Sequence, residues 1–192
     1  MATRDPQIIF PGGTKSTTLQ LKQSANYKKK GVSRYLKSIG LHTHIEATTA
    51  LSKNYISAST FESYYSFCFI RNPWDHALSQ FFELKKDKRL QSLDLDTFIE
   101  DGTLENFATS CRSIYSDQGK IIVKHLYRYE NLQDTIQSIF NDLNLTGNPQ
   151  LPRAKTNLRT DKRPYKDLLN SNQKIKIERI FAQEIEWGKY HF

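Results

Sequence analysis

The sequence predicts an α/β fold, a central parallel sheet flanked by helices, on three observations. Short apolar runs at 7–10, 65–70 and 120–127 alternate with segments of helical periodicity. The stretches between those runs are too long for hairpins, which favours parallel pairing with helical crossovers. No linker rich in Pro, Gly or Ser divides the 192 residues, a length that supports one sizeable core. One domain over 1–192 is expected, with ligands bound beyond the carboxyl ends of its strands.

The elements follow in chain order. "QIIF" at 7–10 is a short apolar run that stops at "PGGTKSTTLQL", where a proline and two glycines turn the chain before a Ser/Thr-rich helix start. Val32, Tyr35, Leu36 and Ile39 then recur at helical spacing in a basic segment. "GLHTHIEATTALSKNY" carries two histidines and leads into helix reaching 60–64. A strand at 65–70 precedes a helix at 73–86, and the region around 90–108 reads as loop and short helices. "GKIIVKHL" gives a strand at 120–127. After it Leu132, Ile136, Ile139, Phe140 and Leu143 mark an amphipathic helix, with Asn131 as its N-cap and Asp134 three residues on. The segment 149–166 is basic and irregular. A last helix from about residue 172 presents Ile175, Ile180, Phe181 and Ile185.

Composition narrows the function. A formal charge of +8 and a pI near 9.4 call for anionic partners such as nucleotides, polyanionic glycans, nucleic acid or acidic membranes, or serve solubility alone. Cys68 and Cys111 lie far apart, Cys68 inside an apolar run that suggests core packing, and no disulfide framework or metal motif is visible. No segment is a signal peptide or reaches the ~18 apolar residues of a membrane span. The chain is therefore expected to be soluble and cytoplasmic, and the Asn144–Thr146 sequon to carry no glycan.

The stretch "FCFIRNPWDHALSQFF" at 67–82 carries the chemistry. A buried strand ending in Arg-Asn-Pro places a fixed cation and a helix N-terminus at one sheet edge, which suits an anion. Ser79 lies eight residues beyond Arg71, about two helical turns on and near the same face. Arg71 and Ser79 would then hold one phosphate, or Arg71 would instead pair with Asp75 or cap a neighbouring helix.

These residues resemble the 3′-phosphate-binding segment of the sulfotransferases: an apolar strand, Arg-Asn-Pro, an aromatic, Asp, and a Ser on the next helix. "HLYRYENLQDTIQSIFNDLNL" is similar to the family's following strand and helix. "LPRAKTNLRTDKRPYKDLL" with "IERIFAQEIEWGKYHF" is similar to its carboxyl end, with a terminal Gly-x-Tyr-x-Phe. The three blocks stand in the family's order over about 65–192, closest in pattern to the carbohydrate sulfotransferase-like branch. The resemblance implies a P-loop NTPase-like architecture and the donor 3′-phosphoadenosine 5′-phosphosulfate. It further implies sulfuryl transfer to a hydroxyl or amine, with adenosine 3′,5′-bisphosphate as product. By the same resemblance Arg71 and Ser79 would hold the 3′-phosphate, and the basic loop of Arg153, Lys155, Arg159, Lys162 and Arg163 would close over the nucleotide or face an anionic acceptor.

The family's first phosphate loop is redrawn here. Members carry Pro-Lys-x-Gly-Thr-Ser/Thr, whereas this chain has Gly12, Gly13, Thr14, Lys15, Ser16, Thr17 and Thr18, with the glycine pair ahead of the lysine. The glycines still permit close backbone approach to a phosphate, and Lys15 would offset charge on the leaving group. Transfer to an alcohol also needs a base. His44 is the first candidate, because "HIEATTAL" resembles a helix start of the family, followed by His42 and Glu46. His76 is expected to help the phosphate site or face solvent. Sulfuryl transfer, like phosphoryl transfer, rests on positioning and charge neutralisation, so no metal is required. Two other readings remain: a degenerate homologue that binds nucleotide without turnover, and a basic nucleic-acid-binding protein drawing on aromatics such as Tyr27, Tyr35, Tyr64 and Tyr65. Neither the acceptor nor the oligomeric state is written in the sequence.

Overall fold

The structure is a computed structural model that describes residues 45–147, 149–151, 159 and 161–192. Gly12, Gly13, Thr14, Lys15, Ser16, Thr17, His42 and His44 lie outside the described residues, as do Arg153 and Lys155. The described residues fall into two compact units, one built on Ser113–Lys124 and the described residues before Phe67, the other on Phe67–Arg112 and His125–Phe192.

The first unit holds two short helices, α1 (Ala47–Ser52) and α2 (Ala58–Ser63). Ser57 caps α2 by accepting the Thr60 amide on its hydroxyl at 3.1 Å, which satisfies one of the amides a helix start leaves without a partner.

The second unit opens with strand β1 (Phe67–Ile70), followed directly by α3 (Pro73–Leu84). Asn72 caps α3 by accepting the Asp75 amide at 3.1 Å, and Pro73 suits the first helical position because it brings no amide needing a partner. Trp74, Ala77, Leu78 and Phe81 follow at i, i+3, i+4 and i+7, and all four are buried. Phe81 packs on Phe98 of α4 (Leu95–Glu100), ring centroids 5.7 Å apart, and Ile99 of α4 with Leu104 and Ala108 of α5 (Thr103–Arg112) are buried as well.

The apolar run at 120–127 divides. In the first unit, β2 (Ser116–Asp117) pairs antiparallel with β3 (Lys120–Ile121). The chain then leaves the strand, with Ile122 N–H on the Tyr115 carbonyl and Lys124 N–H on the Ser66 hydroxyl. Strand pairing resumes in the second unit at β4 (His125–Arg128), which lies parallel to β1 with Phe67 opposite His125 and Ile70 opposite Arg128. The expected single strand is therefore two short ones, because the Ile122 and Lys124 amides between them find partners outside the parallel ladder.

A 3₁₀ turn at Tyr129–Asn131 leads into α6 (Leu132–Asp142). Asn131 occupies the N-cap position as expected, but its backbone has already entered the helical turn and its side chain makes no capping bond. After the short α7 (Tyr165–Leu168) come α8 (Ser171–Ile180) and α9 (Ala182–Gly188). α8 starts on a capping box in which Asn170 accepts the Gln173 amide and the Gln173 side chain accepts the Asn170 amide. Gln173 also donates to Asp96 at 2.8 Å, fixing α8 to α4. The residues α8 buries are Gln173 and Ile177, and Ile175 is 46% exposed, contrary to the expected core face. Gln173, Ile177 and Phe181 stand four residues apart on one helical face, so Phe181 and not Ile175, two positions off that face, continues the core. Mixed helix and parallel strand pairing is thus present, on a sheet of two parallel strands among the described residues.

Candidate anion site

Parallel pairing sets the site. Ile70 lies opposite Arg128 at the carboxyl ends of β1 and β4, so the residues just beyond, Arg71 and Asn72 on one strand and Tyr129 and Glu130 on the other, emerge side by side. Glu130 Oε1 accepts the Asn72 amide at 2.7 Å. The Tyr190 hydroxyl stands 2.8 Å from Glu130 Oε2 and 2.9 Å from the Ile70 carbonyl oxygen, so its single proton is shared between two acceptors. Burial first, and then the Glu130 carboxylate, push the Tyr190 phenol well above its ordinary value. Arg128 covers the Tyr190 ring, its guanidinium carbon 4.4 Å from the ring centroid. The turn after β1 is therefore held from the neighbouring strand and from the carboxyl end of the chain.

The Arg71 side chain leaves this turn and runs along α3. Its Nε and Nη2 donate to Asp75 Oδ2 at 2.8 and 2.5 Å, and its Nη1 donates to Ser79 Oγ at 3.0 Å. The guanidinium also packs on the Tyr129 ring, 5.1 Å from the centroid. The Arg71–Asp75 pair weighed from the sequence as an alternative to phosphate binding is present, and the same guanidinium also donates to Ser79.

Arg159 reaches the same carboxylate, donating from Nη1 to Asp75 Oδ1 at 2.8 Å. Its other nitrogens donate to the Asp161 and Arg163 carbonyls of its own segment. Arg163 is turned away, 63% exposed and paired with Asp161, whose carboxyl Arg163 pulls down to about 2. The segment gains a second hold where Asn72 Nδ2 donates to the Tyr165 hydroxyl at 3.3 Å and the Tyr165 ring stacks on Trp74.

The chemistry that remains follows from the donor inventory. Arg71 and Arg159 each have three of five N–H bonds engaged among the described residues, which leaves two apiece, and the Ser79 hydroxyl accepts from Arg71 with its own proton still to donate. Two arginines and one aspartate leave one net positive charge in the cluster. Such a set matches a tetrahedral oxyanion. The helix N-terminus contributes less than the sequence suggested, since Glu130 and Asn72 already occupy two of its amides and Pro73 offers none.

No family model and no solved structure matches the chain. It is similar to an uncharacterized protein of Archaeoglobus fulgidus, 26% identical over 96 residues that make up 48% of this chain and 78% of that protein.

His76 is half-buried, its ring 4.9 Å from Phe107 and 6.0 Å from Phe181. Burial, reinforced by the Arg71 charge and opposed by Asp75 and Glu130, lowers it from 6.5 to about 4, so it is neutral at pH 7 and adds no charge to the site. Glu46 stands in the first unit at the N-cap of α1, accepting the Thr49 hydroxyl at 3.0 Å. Cys68 and Cys111 are free and partly buried, and burial raises both thiols, Cys111 to about 11. Among the described residues no acidic, histidine or cysteine group is arranged to hold a metal, and no helix is long and apolar enough to cross a membrane.

Sequence reasoning named Arg71, Ser79 and Arg159 and passed over Glu130, Tyr190 and Tyr165. Glu130 was within reach, because a residue two beyond the end of a parallel neighbour must face the Arg71 turn once the register is known. Tyr165 and Tyr190 depend on where a distant segment lands, and no local signal encodes that.

Proposed function

We propose that this chain is a sulfotransferase that moves a sulfuryl group from 3′-phosphoadenosine 5′-phosphosulfate to a hydroxyl or amine of a carbohydrate or another small acceptor. The observation that carries the reading is the convergence of Arg71, Ser79 and Arg159 at the carboxyl edge of a parallel strand pair. It agrees with the sequence resemblance at the residues on which that resemblance depends. A P-loop NTPase-like architecture, with further strands beyond β1 and β4, belongs to the same proposal.

The donor supplies the sulfuryl group and a phosphate leaving group, and the chain supplies binding and charge. Arg71 and Ser79 hold the 3′-phosphate through the N–H and O–H bonds they still have to give, with Arg159 beside them. One net positive charge in the cluster does not neutralise a phosphate monoester of about −1.5 to −2, so further cations are needed. At the 5′ end Gly12, Gly13, Thr14, Lys15, Ser16 and Thr17 wrap the phosphosulfate, with Lys15 the cation that offsets negative charge on the departing oxygen. His44, or His42 in its place, accepts the acceptor's proton. The acceptor is anionic or a carbohydrate, and neither nucleic acid nor a metal enters the reaction.

The test is transfer of a radiolabelled sulfuryl group from the donor to a panel of glycans and small alcohols, with Lys15→Ala and His44→Ala beside the wild type. Labelled product that falls by at least about a hundredfold in both variants supports the assignment. Nucleotide binding with no product on any acceptor would favour the degenerate homologue instead.

A further inference from the structure

Asp75 joins two arginines 88 positions apart in sequence, giving Oδ2 to Arg71 and Oδ1 to Arg159. Two guanidinium groups at one edge of the fold repel each other unless an anion stands between them. Asp75 is fitted to be that anion. Its backbone amide is fixed by the Asn72 cap at 3.1 Å, and each of its oxygens faces a different arginine. Arg159 is oriented in the same way from its own side, with Nε and Nη2 on the Asp161 and Arg163 carbonyls and only Nη1 crossing to α3. The outcome separates the two arginines of this segment, since Arg159 is 19% exposed and Arg163 63%.

We propose that Asp75 is a positioning residue that bridges Arg71 and Arg159 into a two-arginine clamp for the 3′-phosphate of the donor. The proposal rests on the donor reading above. Its physical content is that Asp75 stays in place when the phosphate binds, because each guanidinium group keeps two N–H bonds not engaged among the described residues once Asp75, Ser79 and the Asp161 and Arg163 carbonyls have theirs. The opposite design, in which Asp75 imitates the phosphate and is displaced by it, would not require Ser79 to hold the third nitrogen of Arg71 away from the carboxylate, as it does at 3.0 Å.

The experiment compares Asp75→Asn, Asp75→Glu, Arg159→Ala and the Asp75→Asn/Arg159→Ala double variant in two measurements. The first needs no ligand. Amide hydrogen exchange over 161–168 is expected to rise by the same factor in Asp75→Asn and in Arg159→Ala, with no further rise in the double variant. Unchanged exchange in Asp75→Asn would overturn the bridge. The second is calorimetric titration with adenosine 3′,5′-bisphosphate and with adenosine 5′-phosphate. Asp75→Asn should bind the bisphosphate about tenfold more weakly, the loss expected for one charge-assisted hydrogen bond, with the monophosphate unaffected. Asp75→Glu should recover part of the loss, and the double variant should bind no more weakly than Arg159→Ala. Tighter bisphosphate binding by Asp75→Asn would show that Asp75 competes with the phosphate and would overturn the proposal. A wild-type chain that bound neither nucleotide would remove the donor reading, and the exchange result would still decide whether Asp75 holds Arg159.

Discussion

Lowering the pH from 7 to 4 should unfold this protein through His76 more than through any exposed histidine. The half-buried imidazole packs against Phe107 and Phe181 and feels the charge of Arg71, and burial with that charge lowers its folded-state value from 6.5 to about 4. The unfolded chain therefore takes up a proton near 6.5 that the folded chain refuses until about 4. Stability from this group is complete above 6.5 and is lost as the pH falls through that window, by about 3 kcal/mol at pH 4. That is a large share of the ~5–15 kcal/mol that holds a domain folded. The assay is urea unfolding followed by far-UV circular dichroism at half-unit steps from pH 4 to 7.5, for the wild type and for His76→Phe, which keeps an aromatic ring in the same apolar site. Carboxylates titrate in both proteins, so the difference between them isolates His76. The variant should gain about 3 kcal/mol on the wild type between pH 7 and pH 4. Parallel curves over that range would refute the reasoning and show that His76 charges freely in the folded state.

Three further substitutions test the packing that positions the site. A β-carbon at Gly188 would stand 2.3 Å from the Tyr190 ring and 2.8 Å from Ile70, so Gly188→Ala should cost about 1–3 kcal/mol, read as a lower urea midpoint. Tyr190→Phe removes the hydroxyl between the Ile70 carbonyl and Glu130. It should lower stability by about 1–2 kcal/mol and speed amide exchange at Asn72, whose N–H depends on Glu130. Arg112 donates to both oxygens of the buried Glu184 and to the Ile180 carbonyl, so Arg112→Ala removes the cation that faces this buried carboxylate and should cost about 3–5 kcal/mol. Replacing Arg112 and Glu184 together by methionine should recover most of that loss in the same unfolding assay.

Local chemistry made α3 and the arginine of the turn before it legible. Proline at the first helical position, a capping asparagine and four apolar residues on one face all sit within 12 residues of one another. Ser79 followed from helical spacing alone. The strand at 120–127 misled because Ile121, Ile122 and Val123 favour extended backbone wherever they fall, while the partners that end β3 and begin β4 lie far away in sequence. Ile175 misled because the buried face of α8 runs through the polar Gln173 as well as Ile177 and Phe181, and burial of Gln173 depends on its bond to the distant Asp96. In the site, Asp75 was visible as the i+4 neighbour of Arg71 but not as a bridge. Bridging depends on Arg159, which the capping and stacking of Tyr165 deliver from another part of the chain. Spacing along one element was readable in the sequence, and convergence between elements was not.

The most direct measurement of the central claim is isothermal titration of adenosine 3′,5′-bisphosphate into the full chain, with adenosine 5′-phosphate and Arg71→Ala as comparisons. The account predicts micromolar binding that requires the 3′-phosphate and is lost in Arg71→Ala. Equal binding of the two nucleotides, or undiminished binding by Arg71→Ala, would contradict it.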